Sequence, residues 1–519
     1  MFTLTKKFHL AIYIGALILT VVSLPYSIFI LSVAQITLVV NWFIEGDFIQ
    51  KRERFKQRPA LWIIFLFYLV HLLGMLYTSD FDWGFHDLRI KLPFFVLPLI
   101  IGTSTPINVK NLKLILNFFM TAVLVYSLIS ACIFWGFDGH TFHTSEQLSP
   151  FVSHIRWSLM VDLSIITMFW LFNQTESQRK WLYIPVIIWL VIYIFILQAL
   201  TGIVVLIVTS LILLIRTVFK NRNLMYRWFV TVALLTLILL IASFLTRSYA
   251  RFFTFDKIDP QSIDKYTVNG NPYNNDFTKK YVENGHYTYL YICFPELREA
   301  WQKRSSLDLY GKAKNKGGLS FILCRYLTSK GLRKDSVGMS HLSGREIKYI
   351  ESGITNYIDT AKYSLYPKIY RVIWEMYNYK IGANPSGYSV AQRFEYVKTA
   401  VHIIRNNFWF GVGTGDICEA FKQQYITDKS QLIPEKRLRT HNQLITFWVT
   451  FGITGLTILL FSLIAAPIPE KKYSDYLFLT IFIIAFLSFL NEDTLETHAG
   501  ISFIAVFYTI FLFYDRKQA

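Results

Sequence analysis

The chain has 519 residues, 53% of them hydrophobic and 17% aromatic, with a mean hydropathy of +0.38. These values, together with long apolar runs, place it among polytopic membrane proteins and exclude a string of soluble domains. The formal net charge is +18, but no basic region carries a nucleic-acid-binding motif, so the excess cations point to a lipid bilayer and not to nucleic acid.

Lys6 and Lys7 precede the first apolar run, and no small-residue cleavage site follows. An uncleaved first transmembrane helix is expected. Apolar runs recur near 8–24, 26–45, 60–77, 90–103, 112–136, 157–172, 181–199, 202–219, 226–246, 441–465, 476–490 and 500–514. Most approach the roughly 17–25 residues that a spanning helix needs. The expected fold is therefore an all-α polytopic integral membrane protein with about 12 spans. The run at 90–103 is short and holds Pro93 and Pro98, which favour a kink.

Alternate loops carry Lys51, Arg52, Arg54, Lys56 and Arg58, then Arg179 and Lys180, Arg216 and Lys220, and Lys471 and Lys472. Under the positive-inside rule these are cytoplasmic, and the long segment 248–440 lies outside. Three regions follow: 1–247 with nine spans, 248–440 as an extracytoplasmic subdomain, and 441–519 with three spans. The subdomain is expected to be mostly helical. PELREAWQKR, GLSFILCRYLTSKG and SGREIKYIESGI read as short amphipathic helices, and YTVNGNPYNND reads as a turn-rich loop. Of the four cysteines, Cys132 falls in an apolar run. Cys293, Cys324 and Cys418 fall outside the cytoplasm, where Cys293 and Cys324 are a candidate pair. No cysteine spacing matches a zinc site.

The most informative stretch is 386–455. A helix at 389–406 would carry an apolar stripe of Val390, Phe394, Val397, Val401 and Ile404, with Arg393 and Arg405 on its flanks. GVGTG at 411–415 has two readings. It is a tight turn needing glycine conformations, or it leads into a helix at 416–425 whose first amides face a phosphate. Arg437, Arg439 and His441 follow, just before the next apolar run. His441 is either a general base or an interfacial histidine at the headgroup layer. Guanidiniums around it suit a diphosphate, since each binds phosphate oxygens bidentately, or else a lipid headgroup.

Arg156 in SHIRWSLM, and Arg89 with Lys91 in DLRIKLP, sit at the outer mouths of two other spans. Three separate elements thus bring cations to the outer face, against the positive-inside trend, which marks Arg89 and Arg156 as functional candidates. Asp162 is an ionisable residue inside a span, near enough its outer end to meet water, and His71 reads as a bundle histidine.

R-F-E-Y-V-K-T-A, N-N-F-W-F-G-V-G-T-G and T-H-N-Q-L, followed by F-G-I-T-G, resemble the O-antigen ligases, membrane enzymes related to O-antigen polymerases and bacterial protein O-oligosaccharyltransferases. R-Y-L-T-S-K-G at 325–331 and N-P-S-G-Y-S at 384–389 are similar to stretches in members from Bacteroidota. The resemblance implies a metal-independent, cofactor-free glycosyltransferase of the bacterial inner membrane, acting on its periplasmic side. It would move a glycan from undecaprenyl diphosphate to an acceptor hydroxyl. Lipid A–core is the leading acceptor; a growing glycan or a protein Ser/Thr is the alternative.

By the same resemblance, His441 is the catalytic base and Arg393 contacts the donor. Many members carry a basic residue before a Gly at the outer end of the eighth span, where this chain reads Q-A-L-T-G with Leu200 before Thr201. Arg156 is the candidate substitute, and Arg89 and Arg439 complete the expected donor-binding set. A lipid-linked glycan transporter is the reading from another class. It would need ionisable or helix-breaking residues in matching halves of the bundle, and the chain shows no internal repeat.

Overall fold

A chain crossing lipid must satisfy its own backbone hydrogen bonds, so apolar runs become helices. The computed structural model describes residues 6–137, 145–220, 223–361 and 364–515. Each of the twelve apolar runs forms a helix, and the protein is an all-α polytopic membrane protein. Among the described residues, nine helices are long and apolar enough to cross a membrane. The other three are shorter: Pro93–Thr103, Tyr476–Phe489 and His498–Phe513.

The chain forms two compact units, Met1–Thr231 with Gln392–Ala519, and Val232–Ala391. In the first, His498–Phe513 is the axis: every residue from Ala499 to Phe513 is buried. Pro93–Thr103 and Tyr476–Phe489 pack on it, and Gln443–Ala465 packs on Pro59–Gly74. Basic loop residues close the C-terminal end of the Pro93–Thr103 helix. Arg58 donates to the Gly102 carbonyl at 2.8 Å and Arg54 to that of Thr103 at 3.0 Å, where free carbonyls and the negative end of the helix dipole favour cations.

The Gln443–Ala465 helix is broken at Gly452, where φ is +64°. The 408–415 segment fills the break. Val412 and Gly413 amides donate to the Val449 and Thr450 carbonyls at 3.0 and 2.9 Å, while Ile453 N–H donates to the Phe408 carbonyl at 2.8 Å. A Cβ on Gly452 would lie 2.2 Å from the Trp409 carbonyl carbon, so only glycine allows this approach. GVGTG is therefore a turn that patches a broken helix. Its remaining amides are also engaged: Gly411 on Asn407 O, Thr414 on Gly74 O and Gly415 on Thr78 Oγ1. None of the turn's own five amides is left for a phosphate.

The second unit contains a two-stranded hairpin, Val282–Glu283 with His286–Tyr287, among short helices. The three amphipathic segments form Phe294–Gln302, Leu319–Ser329 and Gly344–Ser352, the last opened by a capping box of Ser343 and Glu346. Their apolar faces meet in a core that includes Leu297, Trp301, Leu323, Leu327, Ile347 and Ile350. Glu283 of the hairpin is buried and held by Arg325 at 2.6 Å and Asn356 at 2.7 Å, which offsets the cost of burying a carboxylate. Cys293 and Cys324 are buried free thiols, so the candidate disulfide does not form.

Candidate functional site

The site is built on the loop Asn491–Glu496, which runs directly into the buried helix His498–Phe513. Four cations from four separate stretches of chain reach this loop. Arg393 donates to Asn491 Oδ1 at 2.9 Å, and Arg156 pairs with Glu492 at 3.0 Å. Arg439 and Lys91 both pair with Glu496, at 3.1 and 2.8 Å. Gln443 adds a hydrogen bond to Glu496 at 2.8 Å, and Thr446 donates to Asp493 at 2.8 Å. The buried Lys91 also reaches Asp87, 3.1 Å away on its own helix.

These ties enclose a cavity of about 350 Å3. His441, Arg156, Arg437 and Arg439 line it, opposite Glu492, Asp493 and Glu496. His441 precedes Asn442, the N-cap of Gln443–Ala465, whose Oδ1 accepts from the Ile445 amide at 3.0 Å. It adopts a left-handed backbone, φ +50°, that is uncommon for a non-glycine residue and clusters at functional sites. Its ring packs beside Tyr396, 5.8 Å between centroids. Tyr396 is in turn fixed by hydrogen bonds to Gln392 and to the Lys436 carbonyl.

The carboxylates differ in their electrostatics. Burial raises the Glu496 carboxyl, but Lys91 and Arg439 outweigh it and hold the group well below the ordinary carboxylate value. Asp493 is raised, first by burial and then by the charge of Glu496. Arg437 has no carboxylate partner among the described residues; its guanidinium is anchored on the Leu432 and Ser430 carbonyls at 2.9 and 3.4 Å. It therefore presents an uncompensated charge to the cavity; Arg393, outside the lining, is held by the neutral Asn491. Arg156 keeps one buried donor, Nε, without a partner among the described residues.

The Leu200 position falls beside this loop. Its neighbour Thr201 accepts from Asn491 Nδ2 at 2.5 Å, the same side chain that takes Arg393. The helices bearing Arg156 and Thr201 approach closely because Gly202 lacks a side chain: a Cβ there would meet Ser158 Oγ at 2.4 Å. Arg393 and Arg156 are thus both anchored at the loop that meets the chain where the resembling proteins carry a base.

Arg89 stands apart. It is exposed, with Nη2 3.1 Å from His86 Nδ1, while Lys91 two residues on is the cation that turns inward. Asp162, expected near enough the outer end of its span to meet water, is fully buried, and neither carboxyl oxygen has a partner among the described residues. On Ser389–Asn406 the packed face is Tyr396, Ala400, Ile403 and Ile404, set against Ile417, Phe421 and Tyr425. Phe394 and Val401 of the anticipated stripe are exposed instead. Apolar periodicity marks a stripe that avoids water, and lipid satisfies that requirement as well as protein does.

The sequence places Lys91 beside Arg89 at a helix mouth, but the expected donor-binding set took only Arg89 and gave N-E-D-T-L-E at 491–496 no role. Its signal was available: three acids in the short turn between two apolar runs, on the face to which the cations converge.

Residues 354–460 match the sequence family described as O-Antigen ligase. The chain carries an O-antigen ligase domain. Among curated proteins none matches the chain. The domain's activity is membrane glycosyl transfer of the O-antigen ligase and polymerase type. Its span contains Arg393, the GVGTG turn, Arg437, Arg439 and His441. Arg156 and the 491–496 loop lie outside the O-antigen ligase match, yet complete the same cavity, and Lys91, also outside it, is paired with Glu496 of that loop.

Proposed function

We propose that this protein transfers a glycan from undecaprenyl diphosphate to a periplasmic acceptor hydroxyl, with lipid A–core as the acceptor. The observation that carries this reading is the meeting of His441 with Arg156, Arg437 and Arg439 in one cavity, three of the four belonging to the matched domain. The diphosphate is a good leaving group once neutralised, so the protein needs mainly to bind it, position the acceptor and remove one proton. His441 takes the acceptor O–H proton. The acceptor oxygen bonds to the anomeric carbon as the bond from that carbon to the diphosphate oxygen breaks, and the electron pair leaves with the diphosphate. Arg393, Arg156 and Arg437 hold that charge, and Arg439, bound to Glu496, orients the wall. Arg89, at the outer end of its own helix, meets the donor before it enters.

Three features support this assignment. The cations come from elements distant in sequence, the loop that gathers them opens the most buried helix, and Arg437, whose charge is uncompensated among the described residues, shares the cavity wall with the histidine. The test is the surface glycan of a deletion strain. Core-only lipopolysaccharide, with glycan accumulating on the lipid carrier, is the expected result. Single-repeat caps would make the acceptor a growing glycan. Normal lipopolysaccharide with unglycosylated envelope proteins would make it a protein hydroxyl. The implied orientation, with 248–440 periplasmic and both termini cytoplasmic, predicts that a cysteine at position 55 resists labelling from outside intact cells.

A further inference from the structure

A second polar cavity lies wholly within the Val232–Ala391 unit, and the transfer chemistry above makes no use of it. It is also about 350 Å3, within the range of small-ligand sites. Arg251, Asn284, His286 and Lys330 line it with the rings of Tyr357 and Tyr366.

Two features of this wall lack partners among the described residues. The first is a charge. Lys330 is paired with Glu346 at 2.7 Å, and His286 with Asp256 at 2.8 Å. Arg251 has no ion pair among the described residues; it lies over the Tyr366 ring, 4.5 Å from the centroid. The second is an acceptor. Asn284 donates through Nδ2 to the Ser329 carbonyl at 2.8 Å and to Asn356 Oδ1 at 3.1 Å, which fixes the orientation of the amide. Its Oδ1 is buried and has no hydrogen-bond partner among the described residues. The residue is held in this pose with a left-handed backbone, φ +49°, and its amide N–H donates to Tyr370 Oη at 2.8 Å. Buried polar atoms are almost always paired, so a fixed acceptor without a donor marks a place where a ligand hydroxyl belongs.

We infer that this cavity binds an acidic saccharide unit, one sugar residue bearing a carboxylate or phosphate. Arg251 and Lys330 take the acid group, Asn284 Oδ1 accepts a ring hydroxyl, and the two tyrosine rings cover the apolar face of the sugar. A simple anion would use the cations but leave Oδ1 unpaired. A neutral sugar would use Oδ1 but leave Arg251 uncompensated. The inference concerns binding alone and stands whether or not the His441 cavity performs transfer.

The test is a binding titration on the full chain in nanodiscs of zwitterionic lipid, with galacturonate trimer, the matched neutral galactose trimer and inorganic phosphate as probes. The acidic trimer should bind at least tenfold more tightly than either of the others. Arg251→Gln should weaken it about tenfold, and Arg251→Lys should restore part of the loss, since charge-assisted bonds to the acid group return. Arg251 is exposed, so both variants are expected to melt like the parent. The inference is overturned if the acidic and neutral trimers bind equally, if neither binds, or if Arg251→Gln leaves affinity unchanged. Phosphate binding as tightly as the acidic trimer would reduce the cavity to an anion site. Loss of trimer binding on adding anionic lipid would assign it to a lipid headgroup. Both outcomes also overturn the inference.

Discussion

The GVGTG turn and the Asn491–Glu496 loop exchange the roles their sequences suggest. The turn leads into a helix whose first amides could face a phosphate, yet its own amides are engaged with the carbonyls and hydroxyl that surround the broken Gln443–Ala465 helix. The loop looks hostile to an anionic substrate, yet its acids collect Arg156, Arg439 and Lys91, while Asn491 takes Arg393. A cation buried near a membrane surface is costly unless paired, so an acidic loop is what allows several of them to be held in one place. The comparison teaches that residues of the substrate's own sign can belong to its site, provided they position the residues of opposite sign.

The largest expected effect separates the reacting group from this scaffold. His441→Ala and His441→Gln should each lower transfer about 10²–10⁴-fold, the usual contribution of a positioned base, with donor binding retained. Purified variants would be assayed for transfer and donor binding separately. Near-normal transfer by His441→Gln would move the base elsewhere, and loss of donor binding would make His441 part of the scaffold.

Next comes the turn. Gly411→Ala would place a Cβ 2.4 Å from the Thr450 carbonyl carbon at φ +71°, so folded protein should be largely lost. Well-folded Gly411→Ala protein with a selective defect in donor binding would return the turn to the list of phosphate sites and break the comparison.

Within the loop the acids should differ in sign. The folded-state value of Glu496 is lowered, so its stabilisation is complete above the unfolded value of about 4.3 and fades as pH falls through the folded value. At neutral pH, Glu496→Gln should cost about 3 kcal/mol, the scale for breaking a buried pair, and progressively less in acid. Asp493 is raised, so its charged form is disfavoured in the folded protein. Asp493→Asn should therefore be neutral or stabilising at pH 7. Melting curves of both variants from about pH 2 to pH 8 test this, since the Glu496 contribution fades only below the unfolded value, and equal destabilisation by the two at neutral pH would remove the distinction.

The smallest effect sharpens the roles of the cations. Arg156→Ala should weaken donor use about tenfold, with Arg156→Lys retaining much of it, because a point charge still reaches Glu492 and the donor. Parent-like activity in both would leave Arg156 a structural partner of Glu492.

Hydrophobic runs and loop charge determined the helical membrane fold, because a spanning segment is dictated locally by the requirement to bury apolar surface and satisfy its own backbone. The motif around His441 was legible for the same reason: Arg393, Arg437, Arg439 and His441 lie within 49 residues of one another in the sequence. Sequence also suggested that Arg156 gathers with them. It could not say that Lys91 turns inward while Arg89 faces out, since two helical positions apart differ by about 200° of rotation. Nor could it say that Phe394 and Val401 face away from the protein, because lipid and protein interior select the same side chains. Asp162 was legible as an ionisable residue within a span, and only packing revealed that it is fully buried. The gathering of Arg393, Arg156, Arg439 and Lys91 on residues 491–496 was a decision of tertiary structure, because ion pairs across more than 50 residues, and up to 405 for Lys91 with Glu496, leave no periodicity in the chain.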